Sequence, residues 1–317
     1  MKRAGVLSAI GILVLSTLFL MPAAGQAQRK RMTIGTASIG GAYYPVGTGI
    51  ASLINKYVPE VEARVEVTGG AVENPRLIGD GQTDLGISNT STAYFALKGM
   101  KPYPKTYPIR ALAQMYPSTL HMVTRKDFDV RTLTDLKGKR VAVGPAGGGT
   151  ISILQDLLTT VGMRVKDFKP SYISYNDGSM ALQDGNVHAS ILLAGAPTAA
   201  VLELGTRTPI QFIRVEEATV QKFLKEYPYY LRIVIPKSYY KTEEDVVTVG
   251  AGNVLIVNKA MSDDLAYKIT AALYDHIDEF RKVHPSTKVV DLKSAPDAAI
   301  PLHPGAARYY REKGVLK

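Results

Sequence analysis

The chain contains no cysteine. That excludes a disulfide framework, a thiol nucleophile and a lipid-bearing cysteine behind an export signal, and it leaves the core alone to stabilise the fold. Nor is there an HExxH, a GxSxG or the lysine of a P-loop, and the five histidines (His121, His188, His276, His284, His303) lack metal-ligand spacing. No cofactor and no metal is expected, and an exported enzyme is only a remote alternative. Asp80 and Asp84 read as a turn and a strand start rather than paired catalytic carboxylates.

Long hydrophobic runs are equally scarce. The one present, Val6 to Met21, follows Lys2-Arg3 and precedes the small residues Pro22-Ala23-Ala24-Gly25-Gln26-Ala27. Residues 1–27 therefore read as an export signal cleaved near Ala27, with an uncleaved signal anchor as the alternative, since the run is shorter than the roughly 20 residues of a spanning helix. Without Lys2 and Arg3 the formal charge of +10 becomes +8. Its clusters, Lys137-Gly138-Lys139-Arg140 and Arg308 to Lys313, are short and broken by acids or glycine, so nucleic acid is not an expected partner. A dispersed positive surface instead suits long-range capture of small anions.

What is present is one pattern written twice. Met32 to Gly35 leads through Gly40-Gly41 to Tyr43-Tyr44-Pro45 and an apolar helix; Arg140 to Gly144 leads through Gly147-Gly148-Gly149 to Thr150 and another. Asp80-Gly81-Gln82-Thr83-Asp84-Leu85-Gly86-Ile87 finds its echo in Asp184-Gly185-Asn186-Val187-His188-Ala189-Ser190-Ile191. Two similar α/β lobes follow, lobe I from 31–120 plus 255–317 and lobe II from 121–254, joined by two crossover segments and a two-segment hinge.

Short buried strands at Ile34, 65–67 and 85–87 alternate with helices from Pro45, from Glu73 or Asn74 and from Thr90 or Ser91, which implies a largely parallel sheet. Residues 98–108 read as a surface loop, 109–115 and 120–124 as two extended segments, 254–258 as the return crossing. A long amphipathic helix is expected over 263–282.

In such sheets ligands bind beyond the carboxyl ends of the strands, where helix N-termini offer unpaired N–H groups. Gly41 and Tyr43 lie at the first such place, Thr68, Gly70 and Asn74 at the second, Ser88, Asn89 and Thr90 at the third. Asn74 can equally cap its helix. In lobe II, Gly147, Gly148, Gly149 and Thr150 form a backbone-rich anion cradle, Ala194 follows a strand, and Tyr175 either reaches the cleft or sits in a surface turn. Arg76 can supply a salt bridge or turn to solvent.

These residues carry a resemblance. Ile34-Gly35-Thr36 through Gly40-Gly41-Ala42-Tyr43-Tyr44-Pro45, Gly70-Ala71-Val72-Glu73-Asn74-Pro75-Arg76-Leu77-Ile78, Asp84-Leu85-Gly86-Ile87 to Ala93-Tyr94, Ala194-Gly195-Ala196-Pro197-Thr198 and the ending Pro301 to Tyr310 together resemble the TAXI solute receptors of TRAP transporters. The resemblance implies a two-lobed, type II-like periplasmic binding protein. It would clamp a small organic anion or amino acid, glutamate-like or another carboxylate, and deliver it to a TRAP membrane permease driven by an ion gradient. It implies ligand contacts from Tyr43, Thr68, Asn74, Ser88 to Thr90 and Gly147 to Thr150. Two departures stand out: His188 replaces a usual aspartate, and Asn89-Thr90-Ser91 replaces an aspartate-containing segment. The alternatives are a binding protein of an ABC importer and a ligand sensor for a membrane kinase.

Overall fold

Two strands far longer than the rest organise the molecule, β4 (Ile109–Arg125) and β10 (Val246–Asn258). The computed structural model describes residues 29–317, so the export signal assigned to 1–27 lies outside the described residues. Before β4 come β1 (Lys30–Gly35), α1 (Tyr43–Tyr57), β2 (Val61–Glu66), α2 (Glu73–Gly79), β3 (Leu85–Asn89) and α3 (Thr90–Lys98). Between the long strands lie β5 (Arg140–Ala142), α4 (Gly149–Thr160), β6 (Lys169–Ser171), α5 (Tyr175–Gln183), β7 (Ala189–Ala194), α6 (Ala199–Arg207), β8 (Ile210–Phe212), α7 (Glu217–Glu226), β9 (Tyr230–Ile235) and α8 (Lys237–Tyr240). The chain closes with α9 (Asp263–Tyr274), α10 (Ile277–Phe280) and α11 (Pro304–Glu312).

One mixed sheet runs β2-β1-β3-β10-β4-β7-β5-β6, with β8 on β4 and β9 on β10. β1 is parallel to β2 and β3, and β5 is parallel to β6 and β7, because each successive strand is reached through a helix. The antiparallel pair β4/β10 joins these two parallel units. The doubled sequence pattern is thus a doubled βαβαβ unit, and its turns match in detail. Gly81 (φ +73°) and Gly185 (φ +76°) both end a helix in the left-handed region that favours glycine. Gly81 N–H donates to the Ile78 carbonyl at 3.1 Å and Gly185 N–H to that of Leu182 at 3.2 Å.

Each unit has its own core. Ile34, Leu53, Ile87, Leu112 and Leu255 belong to one apolar cluster, and Leu120, Val141, Leu157, Ile191 and Val249 to another. β4 passes between the cores from Tyr116 to Leu120, and β10 passes back from Ala251 to Val254.

Four expectations need correction. The two extended segments at 109–115 and 120–124 are a single strand, continuous through Pro117. The strand that carries the return crossing begins at Val246 rather than 254, and its passage between the cores lies at 251–254. The helix expected over 263–282 is broken at Asp275-His276, where His276 leaves helical geometry (φ −119°, ψ 34°) and stacks its ring on Tyr57. The 98–108 segment is a loop, yet Tyr103 and Tyr107 are buried in it, and Tyr103 Oη donates to the Val72 carbonyl.

Candidate functional site

All six parallel strands point their carboxyl ends at one small cavity. Ala37, Gly41, Ala42 and Tyr43 reach it after β1, Gly69 to Ala71 after β2, and Asn89 ends β3. From the other unit come Gly148 and Gly149 after β5, Tyr175 after β6, and Leu193 with Ala194 at the end of β7. The walls are closed to about 20 Å³, the space of one water molecule, so a larger guest has to enter with the lobes parted. Larger hollows of about 340 and 590 Å³ flank β8, but Lys126, Arg214, Glu216 and Glu243 give them mixed charge, and no parallel strand ends there. The convergence of strand ends outweighs their size.

Four helices begin on the cavity. Tyr43, Gly149 and Tyr175 are the first residues of α1, α4 and α5, and Asn89 is the N-cap of α3. A helix start exposes N–H groups without intrahelical partners and carries a partial positive charge. None of the lining residues is charged. The cavity therefore offers oriented dipoles to an anion, with no side-chain counter-ion among the described residues.

Its polar side chains form two clusters, one per lobe. In lobe I, Tyr43 Oη donates to Asn253 Oδ1 at 2.7 Å, and Asn89 Nδ2 donates to the same oxygen at 2.8 Å. In lobe II, Tyr175 Oη lies 2.9 Å from Thr150 Oγ1 and donates to the Leu193 carbonyl at 3.1 Å. Burial raises the pKa of both phenols above the ordinary tyrosine value, so both stay protonated as hydrogen-bond donors.

Direct contacts close the lobes on each other. The Gly147 carbonyl accepts from Val72 N–H at 3.0 Å and from Glu73 N–H at 3.2 Å, while the Gly40 carbonyl accepts from Thr198 Oγ1 at 2.8 Å and Ala200 N–H at 3.2 Å. At the rim, the rings of Phe95 and Tyr229 meet edge to face at 5.5 Å. Only glycine fits parts of this seam. A Cβ on Gly69 would stand 2.9 Å from Gly147 Cα, and one on Gly149 would collide with Asn89 Oδ1.

Of the residues singled out in the sequence, Gly41, Tyr43, Gly70, Asn89, Gly148, Gly149, Tyr175 and Ala194 line the cavity. Six do not. Asn74 is fully buried and spends its amide on the carbonyls of Gly35, Thr36 and Ile87, while its Oδ1 accepts from Thr68 Oγ1 at 2.7 Å. It is also not the N-cap of α2, which is Val72. Thr68 is taken up by the same bracket and by the Thr36 carbonyl. Ser88 donates to the Ala71 carbonyl at 2.7 Å, Thr90 faces Gly252, Gly147 forms the seam, and Thr150 stands behind Tyr175. Arg76 lies over the Tyr103 ring and donates to the Pro102 carbonyl, away from the cavity. Sequence reasoning missed Asn253, whose only signal was a lone amide after Gly250-Ala251-Gly252 at the start of an apolar strand end.

Residues 34–314 match the NMT1-like family. The chain belongs to that family. A protein of Escherichia coli (strain K12) named for binding aliphatic sulfonates is 30% identical to this NMT1-like chain over 91 residues, 29% of it; the match spans 28% of that relative's length. Two solved structures share the fold. A binding protein component of an ABC phosphonate transporter from Pseudomonas aeruginosa aligns over 82% of this chain and 79% of its own, with a TM-score of 0.55 at 11% identity. A Streptococcus mutans structure described for glutathione import with a cystine ABC importer aligns over 82% and 95%, with a TM-score of 0.52 at 12% identity. The NMT1-like chain thus has the two-lobed periplasmic binding protein fold.

Proposed function

We propose that this protein captures a small organic oxyanion (carboxylate, sulfonate or phosphonate) between its lobes outside the cytoplasm and presents it, by closing, to a membrane importer. It acts by binding, without chemistry. The observation that carries this reading is the convergence of four helix N-termini on one cavity lined by no charged side chain. The relatives named for sulfonates and phosphonates support the same ligand chemistry. The lobes are assigned as 31–120 with 255–317 and as 121–254, although Leu120 already packs in the second core. The segment 1–27 is assigned as the export signal that places the protein in the periplasm.

For the permease, an ABC importer is the first reading, because the two structures described above are named for ABC systems. A TRAP permease of the TAXI type is the second, favoured by the ordered motifs from Gly40 to Pro45, Gly70 to Ile78 and Ala194 to Thr198. Uptake into vesicles carrying the permease that accepts this protein separates them: dependence on ATP supports the first, dependence on an ion gradient the second.

Mass spectrometry of the small molecule released from purified protein, followed by calorimetry, tests the reading itself. An organic acid bound at micromolar strength, about −8 kcal/mol, is expected. Sustained turnover of the released compound by the protein would overturn it.

A further inference from the structure

Asn253 is fully buried where β10 leaves lobe II for lobe I. The pairing of β10 with β4 slips at this residue, between Gly252 opposite Pro117 and Val254 opposite Gln114. Such an irregularity re-aims a side chain out of the regular alternation. On its other flank Asn253 stands directly opposite Asn89, the last residue of β3.

Its two amide atoms serve different parts of the protein. Oδ1 accepts from Tyr43 Oη and Asn89 Nδ2, both on cavity-lining residues. Nδ2 donates to the Tyr116 carbonyl at 2.8 Å, and Ser118 Oγ lies 3.0 Å from Nδ2 and 3.2 Å from Oδ1. Tyr116 and Ser118 belong to the segment in which β4 crosses between the lobes. A side-chain amide offers a donor and an acceptor on one short, uncharged planar group.

Taking the cavity as the ligand site, we infer that Asn253 is a positioning residue that locks the lobe I cavity wall, Tyr43 and Asn89, to both crossing strands. Displacement of that wall by a bound solute then turns the hinge as a unit, because a buried network of this kind moves together or loses its bonds.

The absence of cysteine makes the test clean. Cysteines at exposed Ser52 in lobe I and exposed Lys166 in lobe II accept spin labels, and pulsed dipolar spectroscopy on the full chain reads the distance between lobes. Asn253→Ala is expected to widen the distance distribution and to change the closed-to-open ratio by about ten-fold. Asn253→Asp keeps an acceptor for Tyr43 and Asn89 but offers no amide N–H to the Tyr116 carbonyl, and it is expected to widen the distribution as well. A lowered melting temperature with an unchanged distribution would show that Asn253 only holds the fold, and would overturn the inference. Should Asn253→Ala fail to fold, Ser118→Ala, which removes one bond on the β4 side, carries the same two outcomes. The readout uses no solute, so failure of every tested acid to bind would count against the ligand reading and not against the hinge.

Discussion

His188 in lobe II occupies the place that Asp84 occupies in lobe I. Asp84 Oδ2 accepts from Thr33 N–H at 2.8 Å, and His188 Nδ1 accepts from Arg140 N–H at 3.3 Å. The backbone pairs agree too: Asp84 N–H donates to the Thr33 carbonyl, and His188 N–H to that of Arg140. Both residues precede the inner strand of their unit, at the end remote from the cavity. The aspartate that the TAXI resemblance implies at position 188 would thus stand at the strand entry, at the end remote from the cavity. His188→Asp should leave ligand affinity unchanged and keep stability within about 0.5 kcal/mol, since a carboxylate can accept the same N–H. Calorimetry and thermal unfolding of the variant check both.

The repeated glycine turns made the two units legible, because a left-handed helix end and a backbone-rich loop each demand glycine at a fixed place. The polar residues after the strands were harder to sort. Asn74, in the first turn of α2, and Asn89, the last residue of β3, are the same residue type, yet one is consumed by three carbonyls inside lobe I and the other lines the cavity. No local pattern separates a bracket from a ligand contact; only the packing of β1 against β3 does. Asn253 was invisible for a related reason, since its partners Tyr43, Asn89 and Tyr116 are brought together by the sheet order and not by sequence spacing.

Asn74→Ala should accordingly act on stability. It removes the side-chain donor of the buried Gly35 and Ile87 carbonyls, one of the two of the Thr36 carbonyl, and the acceptor of Thr68 Oγ1, at a cost of about 1–3 kcal/mol. Denaturant unfolding should show that loss, whereas unchanged stability with weakened binding would place Asn74 in the ligand site after all.

The seam makes the opposite kind of prediction. Gly69 has no left-handed φ, so alanine fits its backbone, but the added Cβ meets Gly147 Cα when the lobes close. Gly69→Ala should lower ligand affinity by at least about ten-fold, 1.4 kcal/mol, with little change in melting temperature. Calorimetry beside thermal unfolding distinguishes this from a general loss of fold.

Acid should destabilise the hinge region. His121 is fully buried on β4, with Nδ1 3.0 Å from the Thr119 carbonyl and Nε2 2.8 Å from Tyr240 Oη, which itself accepts from Thr198 N–H. Burial lowers its pKa from 6.5 to about 4. The unfolded chain thus takes up a proton below pH 6.5 that the native state refuses until about pH 4. Its contribution is complete above pH 6.5 and is lost as pH falls from 6.5 to 4, up to about 3 kcal/mol. His121→Gln should flatten the fall in melting temperature across that window.

On the proposed reading an ammonium group is disfavoured in the cavity, because four helix starts face it and no carboxylate is among its lining residues. Acids without an amine should bind at least about ten-fold tighter than their amino counterparts, in line with a helix-terminus effect of up to about 2 kcal/mol. Ethanesulfonate against taurine and glutarate against L-glutamate are the pairs to titrate. Equal affinity within the pair that binds would show that the dipoles do not select the ligand.

The decisive measurement is a crystal structure of the protein carrying the acid that mass spectrometry identifies. The account predicts its oxyanion between the first-turn N–H groups of α1 and α4, within reach of Tyr43, Asn89 and Gly149, with the lobes closed over it. Density for that acid in the hollows beside β8, with the helix starts empty, would contradict it.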